Sequence, residues 1–327
     1  MSTRHLVDPE LLPALDAFPT FRFEEATLAE MRAARHAMAL PMPDVPGIDI
    51  ERVSIPTAEG HEVGAILFRP NAGETPLPAM LHIHGGGYVM GTAEMSSPRN
   101  AAEAAAARCV ILSVDYRLAP DTPHPGPVED CYAALAWLHA NAARLGVDPA
   151  RIAVSGESAG GGLAAALALL ARDRGTPPIA FQRLTYPMLD DRTCVRETHP
   201  YVGEFVWTRE SNCFGWRALL GRAPGGDGIS PYAAAARAED LRGLPPAYIS
   251  VGTLDLFLEE DLDYALRLTR AGVPTELHVY PGAFHGFELA PDTRLTRTAE
   301  RDRLDALVRA LHGKAMPIHP RPLGATS

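Results

Sequence analysis

Short apolar runs alternate with longer helical patterns along most of this chain. Four runs rich in apolar and β-branched residues lie at 79–84, 109–114, 151–155 and 247–251. Four longer stretches, either amphipathic at helical spacing or built from small apolar residues, lie at 127–143, 158–172, 258–270 and 298–311. A continuous apolar run is typical of a strand buried on both faces. Because strands alternate with helices, the pattern predicts an α/β fold whose mostly parallel sheet is covered by helices on both faces.

Two further elements are predicted ahead of this alternation. Runs at 51–55 and 62–68, separated by Ala-Glu-Gly-His, predict an antiparallel hairpin that joins the sheet. Residues 24–38 predict a helix, which ends at a proline-rich stretch.

Two segments lie outside the alternation of strands and helices. Residues 1–47 hold the early helix, and residues 190–225 carry several large aromatic side chains between polar ones. We predict that both segments form a cap over the carboxyl edge of the sheet, the alternative being ordinary surface helices. The catalytic domain then consists of residues 48–189 and 226–313. The proline-rich residues 314–327 are expected to form a loosely ordered tail.

Composition limits the partners and the compartment. The chain has 327 residues, with 40 acidic side chains and 30 Lys or Arg, for a formal net charge of −10. This balance argues against nucleic acid and anionic membrane surfaces, since both bind basic patches. The N-terminus lacks the continuous apolar run of a secretory signal, and the longest small-apolar stretch, 160–171, is too short to span a bilayer. We therefore expect a cytoplasmic protein.

The cysteine pattern agrees with that compartment. The four cysteines lie at 109, 131, 194 and 213. Their spacings match neither a zinc ribbon nor a redox pair, and a disulfide scaffold would be far denser. We expect reduced, mostly buried thiols.

The sharpest motif is Gly-Glu-Ser-Ala-Gly at 156–160, between a predicted strand and a predicted helix. In this setting G-x-S-x-G predicts a nucleophile elbow, a turn so tight that the two flanking positions require glycine. The turn exposes the hydroxyl of Ser158 at a helix N-terminus, where developing negative charge is favoured. A dinucleotide-binding fingerprint is excluded because Ser158 occupies its second glycine, and a P-loop is excluded because no Gly-Lys-Ser/Thr follows.

A second motif, His-Gly-Gly-Gly-Tyr at 84–88, follows the predicted strand at 79–84. Consecutive glycines let backbone N–H groups approach a substrate oxygen. Beside the elbow, such a loop predicts an oxyanion hole that the N–H of Ala159 completes. We interpret His84 as a residue that orients this loop. His82 and His84 alternate and could face one way as a metal pair, but the spacing suggests no third ligand, so we predict no metal site.

Chain order selects the catalytic histidine among twelve. In hydrolases with this elbow, the acid and then the histidine follow the serine, each in a loop at the carboxyl edge of the sheet. His285 comes just after the apolar run at 275–280, whereas His278 lies inside that run. His312 and His319 lie at the end of the last helix and beyond it. We therefore predict His285 as the general base.

The acid is predicted from the preceding strand. Asp255 is the first acidic residue after the run at 247–251, and Asp190 and Asp191 are the alternative acids. The acidic residues that follow Asp255 are expected in the solvated first turn of a helix, where they favour the helix dipole; they are Glu259, Glu260 and Asp261.

Together these motifs resemble the bacterial hormone-sensitive-lipase-like family of α/β-hydrolases. The resemblance rests on HGGGYVMG at 84–91, DYRLAPDTPHPGPVEDC at 115–131, VSGESAGGGLA at 154–164, GTLDLF at 252–257 and YPGAFHGF at 280–287. It implies an α/β-hydrolase fold with eight strands and a small helical cap, and carboxylesterase activity without a metal or an organic cofactor.

The resemblance also implies a role for individual residues. The nucleophile, base and orienting acid are, in that order, Ser158, His285 and Asp255. The oxyanion-hole donors are Gly86, Gly87 and Ala159. The chain departs from the family at Glu157, where Asp or Thr is commoner, at Asp121, which replaces the Glu of YRLAPE, and at 124–130, where HPGPVED replaces FPAAVED. None of these departures touches a catalytic position.

The expected substrates are short- to medium-chain acyl esters, because large rings over a small cavity leave room for few methylenes. The residues predicted to line this pocket are Tyr88, Phe205, Trp207 and Phe214. Amidase or lactonase activity stays open, since the same acyl-enzyme serves all three reactions. A non-catalytic receptor, such as the plant gibberellin receptors that resemble the family but lack the histidine, is disfavoured by His285. As in the family, we expect a homodimer through the edge strand and the last helix.

Overall fold

The computed structural model describes residues 2–18, 23–37, 42–71, 73 and 76–313. The predicted tail at 314–327 lies outside these residues, as does Met38 at the end of the predicted N-terminal helix. From residue 77 onward, strands and helices alternate as the sequence pattern predicts.

Eight strands form one sheet. They are β1 Ile48–Pro56, β2 Glu62–Pro70, β3 Leu77–Ile83, β4 Val110–Asp115, β5 Val147–Glu157, β6 Phe181–Thr185, β7 Ala247–Gly252 and β8 Thr275–Tyr280. Their spatial order is β1-β2-β4-β3-β5-β6-β7-β8. β1 and β2 form the predicted antiparallel hairpin, and β2 is also antiparallel to β4. All other pairs are parallel, which confirms the predicted sheet.

Some helices cover the sheet, and others lie in the two segments outside the alternation of strands and helices. Within the described residues the α-helices are α1 Leu12–Ala17, α2 Glu25–Ala37, α3 Ser97–Ala107, α4 Gly126–Ala140, α5 Ala142–Leu145, α6 Ala159–Arg174, α7 Arg209–Leu220, α8 Leu258–Arg270 and α9 Arg294–His312. The predicted helix at 258–270 has the bounds of α8. The predicted helix at 127–143 is interrupted at Asn141, which caps α4 and begins α5.

Small side chains let α6 pack tightly against the centre of the sheet. Every residue from 159 to 171 in this helix is buried, which explains why its sequence is apolar on all faces. A Cβ at Gly160 would lie 2.1 Å from the carbonyl oxygen of Ile83, so only glycine allows this approach. β3 is likewise buried along its whole length. The turn between β5 and α6 is therefore held from both sides by the core.

The parallel strands bring four loops to one edge of the sheet. β3, β5, β7 and β8 run in the same direction, so the loops that follow them meet at their carboxyl ends. These loops carry the glycine-rich motif, the elbow, Asp255 and His285.

One sequence-based expectation about α8 is wrong. Glu260 and Asp261 are not solvated but fully buried, at 1% and 0% exposure. Glu260 accepts hydrogen bonds from the backbone N–H groups of Leu189 (2.7 Å) and Asp190 (3.1 Å), and from the hydroxyl of Thr193. The first turn of α8 thus packs on the loop after β6. Hydrogen-bond donors about seventy residues away in the chain replace water around Glu260, and the sequence next to Glu260 does not indicate them.

Candidate active site

Ser158 lies at the turn between β5 and α6 in a strained backbone conformation. Its φ is +56° and its ψ is −122°, a region that costs a residue with a Cβ of order 1–3 kcal/mol. Glycine is required on both sides. A Cβ at Gly156 would lie 2.2 Å from the carbonyl oxygen of Gly160, and Gly160 itself packs on β3. The sequence-based explanation of these two glycines therefore agrees with the structure.

Three polar side chains from three loops form one hydrogen-bonded row. Nε2 of His285 lies 2.9 Å from Oγ of Ser158, and Nδ1 of the same ring lies 2.8 Å from Oδ2 of Asp255. Asp255 is fully buried, and its other oxygen accepts the backbone N–H of Phe257 at 3.0 Å. The imidazole therefore lies between the hydroxyl and a carboxylate that its own loop holds in place.

Aromatic rings hold the imidazole of His285 on several sides. The ring of Tyr186 approaches it edge-on with centroids 4.6 Å apart, and Phe257 does so at 5.2 Å. Trp207, from the segment at 190–225, lies 6.0 Å away at an interplanar angle of 38°. These contacts limit rotation of the ring away from Ser158.

The two alternative acids are engaged elsewhere. Asp190 pairs with Arg192 at 2.8 Å, and Asp191 pairs with Arg237 at the same distance. Neither carboxylate contacts the imidazole of His285, whose partner is Asp255.

The glycine-rich loop lies directly beside the elbow. A Cβ at Gly85 would be 3.4 Å from Cβ of Ser158. Gly86 and Gly87 have φ values of +123° and +61°, which turn successive backbone amides in a way that suits glycine. In the part of the chain that the structure describes, no acceptor lies on the backbone N–H groups of Gly86, Gly87 or Ala159. Ala159 is the first residue of α6, so its amide is one of the free donors of a helix N-terminus.

His84 packs beneath this loop. Its ring stacks on Tyr116 with centroids 4.3 Å apart, and its Nδ1 lies 2.8 Å from the carbonyl oxygen of Gly85. Burial lowers the pKa of His84 to about 4, so the ring is neutral at pH 7 and donates from Nδ1. This geometry agrees with the loop-orienting role inferred from the sequence.

His82 does not pair with His84 around a common point. Its Nε2 lies 3.0 Å from Glu157 and its Nδ1 lies 3.0 Å from the hydroxyl of Ser113. Across the described residues, no group of three or more His, Cys, Asp or Glu side chains is arranged to hold a metal ion.

The residues predicted to line the pocket have different neighbours in the structure. Trp207 is in contact with the loop, since a Cβ at Gly87 would lie 2.3 Å from its indole. Phe205 packs edge-on against Phe284, next to His285, with centroids 6.2 Å apart. Tyr88 is completely buried and donates its hydroxyl to the carbonyl oxygen of Met188 at 2.9 Å.

Phe214 borders a separate, outer cavity of about 780 Å³. Phe23, from the N-terminal segment, lines the same cavity and contacts the outer side of Trp207 at 5.3 Å. Neither Ser158 nor His285 lines this cavity. Trp207 therefore lies between the row of three side chains and Phe23.

Sequence reasoning missed a set of buried charges behind the elbow. Besides His82, Glu157 contacts Arg99 at 3.3 Å. Burial opposes ionisation of Glu157, but His82 and Arg99 hold its pKa well below the usual range. On the other side, Tyr186 donates its hydroxyl to Glu288 at 2.7 Å. In the sequence, the unusual Glu157 of the elbow was the only signal for this set, because the partners of Glu157 come from distant elements.

Comparisons with known proteins agree with this geometry. A family profile described as the alpha/beta hydrolase fold matches residues 80–289. Carboxylesterase NlhH of Mycobacterium tuberculosis is 36% identical over 313 residues, which cover 94% of this chain and 97% of that protein. The solved structure of a bacterial heroin esterase is similar at a TM-score of 0.89 and 42% identity, covering 95% of this chain and 99% of that one. Esterase LipW from Mycobacterium marinum gives a TM-score of 0.83 at 34% identity, covering 94% and 97%.

Within the described residues, no helix is both long enough and apolar enough to cross a bilayer.

Proposed function

The chain belongs to the α/β-hydrolase family, and on that premise we propose that it is a serine carboxylesterase acting on short- to medium-chain acyl esters. The observation that carries the proposal is the row in which His285 lies 2.9 Å from Ser158 and 2.8 Å from Asp255. That row has the order and the hydrogen bonds of a Ser-His-Asp triad.

In the proposed reaction, Oγ of Ser158 attacks the carbonyl carbon of the ester while Nε2 of His285 takes the hydroxyl proton. The resulting oxyanion accepts hydrogen bonds from the backbone N–H groups of Gly86, Gly87 and Ala159, each worth a few kcal/mol at the transition state. His285 then protonates the departing alcohol. Asp255 keeps the proton on Nδ1 and stabilises the imidazolium. Water repeats the sequence on the acyl-enzyme and releases the acid.

We propose that residues 1–47 and 190–225 form the cap that limits the substrate, with residues 48–189 and 226–313 as the catalytic domain. The two cap segments contact each other. Glu204 accepts hydrogen bonds of 2.5 Å from the backbone N–H and the hydroxyl of Thr3, and Phe23 packs on Trp207. Because Trp207 also touches Gly87 and His285, the indole is the proposed wall of a short acyl pocket, with Phe205 beside it. Tyr88 supports the loop from beneath, and Phe214 borders the outer cavity.

Replacement of the nucleophile tests the proposed function. A chromogenic short-chain acyl ester should be turned over by the wild-type protein and not by Ser158→Ala, because the variant lacks the hydroxyl that forms the proposed acyl-enzyme. A control variant, Ser54→Ala, removes a hydroxyl of the edge strand β1 that donates to Glu62 at 2.7 Å and should retain turnover. Turnover that survives in Ser158→Ala at the wild-type rate would contradict the proposal.

We also propose that the protein is cytoplasmic, in agreement with its four cysteines, all of which are free thiols.

We further propose that the protein forms a homodimer. β8 is an edge strand that exposes Leu277 and Val279, and the last helix, α9, contacts this strand through Arg309 and Glu276. Pairing of two β8 strands would bury these side chains and the free strand edge. Light scattering should give twice the chain mass for the wild type and the single-chain mass for Val279→Lys; a monomeric wild type would contradict the dimer.

A further inference from the structure

One arginine of the N-terminal segment is bonded to the backbone next to the glycine-rich loop. Arg32, on α2, donates from Nε to the carbonyl oxygen of Val89 at 2.8 Å and from a second nitrogen to that of Ala119 at 2.7 Å. Its third nitrogen pairs with the carboxylate of Asp121 at 2.5 Å. A planar guanidinium presents its donors in a fixed fork, so three simultaneous acceptors define its position closely.

The acceptors of Arg32 belong to the loop that carries the proposed oxyanion donors. Val89 comes two residues after Gly87, and the N–H groups of Val89 and Met90 both donate to the carbonyl oxygen of Gly86 at 3.1 Å. The carbonyl oxygen of Tyr88 accepts the N–H of Ala119 at 3.0 Å. Arg32 therefore closes a ring of hydrogen bonds that joins the end of the loop to the turn at Ala119.

The loop requires such outside support. Gly86 and Gly87 have wide conformational freedom, and Tyr88 is held at a φ of +68°, which is unfavourable for a residue with a Cβ. Val89 and Ala119 are both completely buried. Without the guanidinium, two buried carbonyl oxygens lose their charged donor, and such groups are costly to leave unpaired. The loop can then relieve the strain by rotating its amides away from Ser158.

We propose that Arg32 is a positioning residue, which aligns the backbone N–H groups of Gly86 and Gly87 through Val89 and so makes turnover depend on the docked position of α2. The inference rests on the proposed function, because it assigns those amides to the oxyanion. It adds a link that no catalytic motif contains, between the N-terminal cap segment and the chemistry of the elbow.

The alternative is that Arg32 only fastens the cap, and the two roles differ kinetically. Misaligned oxyanion donors stabilise the transition state less and so lower kcat, whereas a loosened cap weakens substrate binding and raises KM. Asp121→Asn supplies a matched control, because it removes the charge of the exposed ion pair and leaves both carbonyl contacts of Arg32 in place. Exposed ion pairs contribute little on their own.

The experiment measures kcat and KM for a short acyl ester in Arg32→Ala, Arg32→Lys and Asp121→Asn. We expect kcat of Arg32→Ala to fall about tenfold or more, up to the ~10²–10³ that the loss of one oxyanion donor costs, with KM changed less than about threefold. The kcat of Arg32→Lys should be nearly as low as that of Arg32→Ala, because lysine lacks the planar fork of donors. Guanidinium added to Arg32→Ala should restore part of its kcat. Asp121→Asn should stay within about threefold of the wild type, as expected for a surface pair. A kcat of Arg32→Ala within twofold of wild type, or a loss carried by KM alone, overturns the proposal.

A second readout separates this inference from the proposed function. Amide hydrogen exchange of the peptide that spans 85–90 should be faster in Arg32→Ala than in the wild type and unchanged in Asp121→Asn. If the wild-type protein had no esterase turnover, the proposed function would be refuted, and faster exchange in Arg32→Ala would then show only that Arg32 orders the loop. Unchanged exchange in Arg32→Ala refutes the positioning role whatever the activity.

Discussion

At the scale of single residues, each group of the proposed triad owes its position to a neighbour with no chemical role. Ser158 keeps a strained φ because glycines at 156 and 160 let the backbone close around it. His285 is held by the edge of Tyr186, whose hydroxyl is fixed by Glu288. Asp255 is held by the N–H of Phe257. The reactive geometry is thus built into the free protein, as catalysis by preorganised groups requires.

Replacement of the proposed acid should be severe and specific. Asp255→Asn keeps the shape of the side chain but favours the wrong tautomer of His285, which lowers turnover by roughly 10⁴ in enzymes of this kind. Asp190→Asn should leave turnover within a few-fold of the wild type, because Asp190 pairs with Arg192 and not with the imidazole. Steady-state turnover of an acyl ester checks both variants, and the reverse pattern would show that the assigned acid is wrong.

The buried His84 should make the protein less stable in mild acid. Its pKa is about 4 in the folded protein because of burial, against 6.5 as the ordinary value. Between these values the unfolded chain binds the extra proton, so stability should fall as the pH drops from about 6.5 towards 4. At about 1.4 kcal/mol per pKa unit the loss is of order 3 kcal/mol.

Urea unfolding at pH 7 and pH 5 measures the part of this loss that occurs above pH 5, about 2 kcal/mol at roughly 1.4 kcal/mol per pH unit. His84→Gln should reduce the difference in unfolding free energy between the two pH values, even if it lowers stability at both. His5→Gln, at an exposed histidine, serves as the control and should keep the wild-type difference. An unchanged difference in His84→Gln would mean that other groups cause the acid sensitivity.

The residue scale also shows where sequence reasoning succeeds and where it stops. Ser158, Asp255 and His285 could be predicted because each follows a strand in a fixed order and each motif is local. The sequence predicts Glu260 in water because it lies in the first turn of a helix, yet its hydrogen-bond donors come from Leu189, Asp190 and Thr193. Contacts made across the fold leave no local pattern in the sequence.

At the scale of elements, α7 joins the proposed cap segment at 190–225 to the loop of the proposed oxyanion donors. A Cβ at Gly215 of this helix would lie 2.6 Å from the carbonyl oxygen of Gly87, and Trp216 packs on Tyr88 at 5.3 Å. Asn212, one turn before Trp216, accepts the indole N–H of Trp207 at 3.3 Å. The sequence predicted that aromatic residues in this segment approach the site, but it could not tell that Trp207 contacts His285 and that Phe214 borders the outer cavity.

This difference between Trp207 and Phe214 predicts different effects on substrate length. Trp207→Ala removes the proposed wall, so the preferred acyl chain should lengthen by several carbons, each buried methylene being worth ~0.8 kcal/mol. Phe214→Ala should leave the preferred length unchanged and is the matched control. The turnover rates for a series of esters with acyl chains of roughly two to sixteen carbons measure the preferred length in both variants. Equal profiles for Trp207→Ala and the wild type would remove Trp207 from the pocket.

At the scale of the whole molecule, the carboxyl edge of the sheet brings together residues that are far apart in the chain. Ser158 and His285, for example, are 127 positions apart. The parallel direction of most strands could be predicted from the alternation of apolar runs and helices, because parallel sheets are typically covered by helices on both faces. The relation of the proposed cap segments to this edge could not, because their contacts, such as Arg32 with Val89 or Thr3 with Glu204, join residues far apart in the chain. The sheet therefore follows from pattern, whereas the placement of these two segments follows from individual contacts.

The central claim is that a single serine at this edge, activated by His285, forms the acyl-enzyme. The most direct measurement is labelling of the wild-type protein by an organophosphate, followed by mass spectrometry of the adduct. We predict one phosphoryl group per chain, on the peptide that contains Ser158, with turnover lost in proportion to labelling. His285→Ala should take up the label orders of magnitude more slowly, because the serine has lost its base. Rapid labelling at a different serine, or full turnover after Ser158 is modified, would contradict this account.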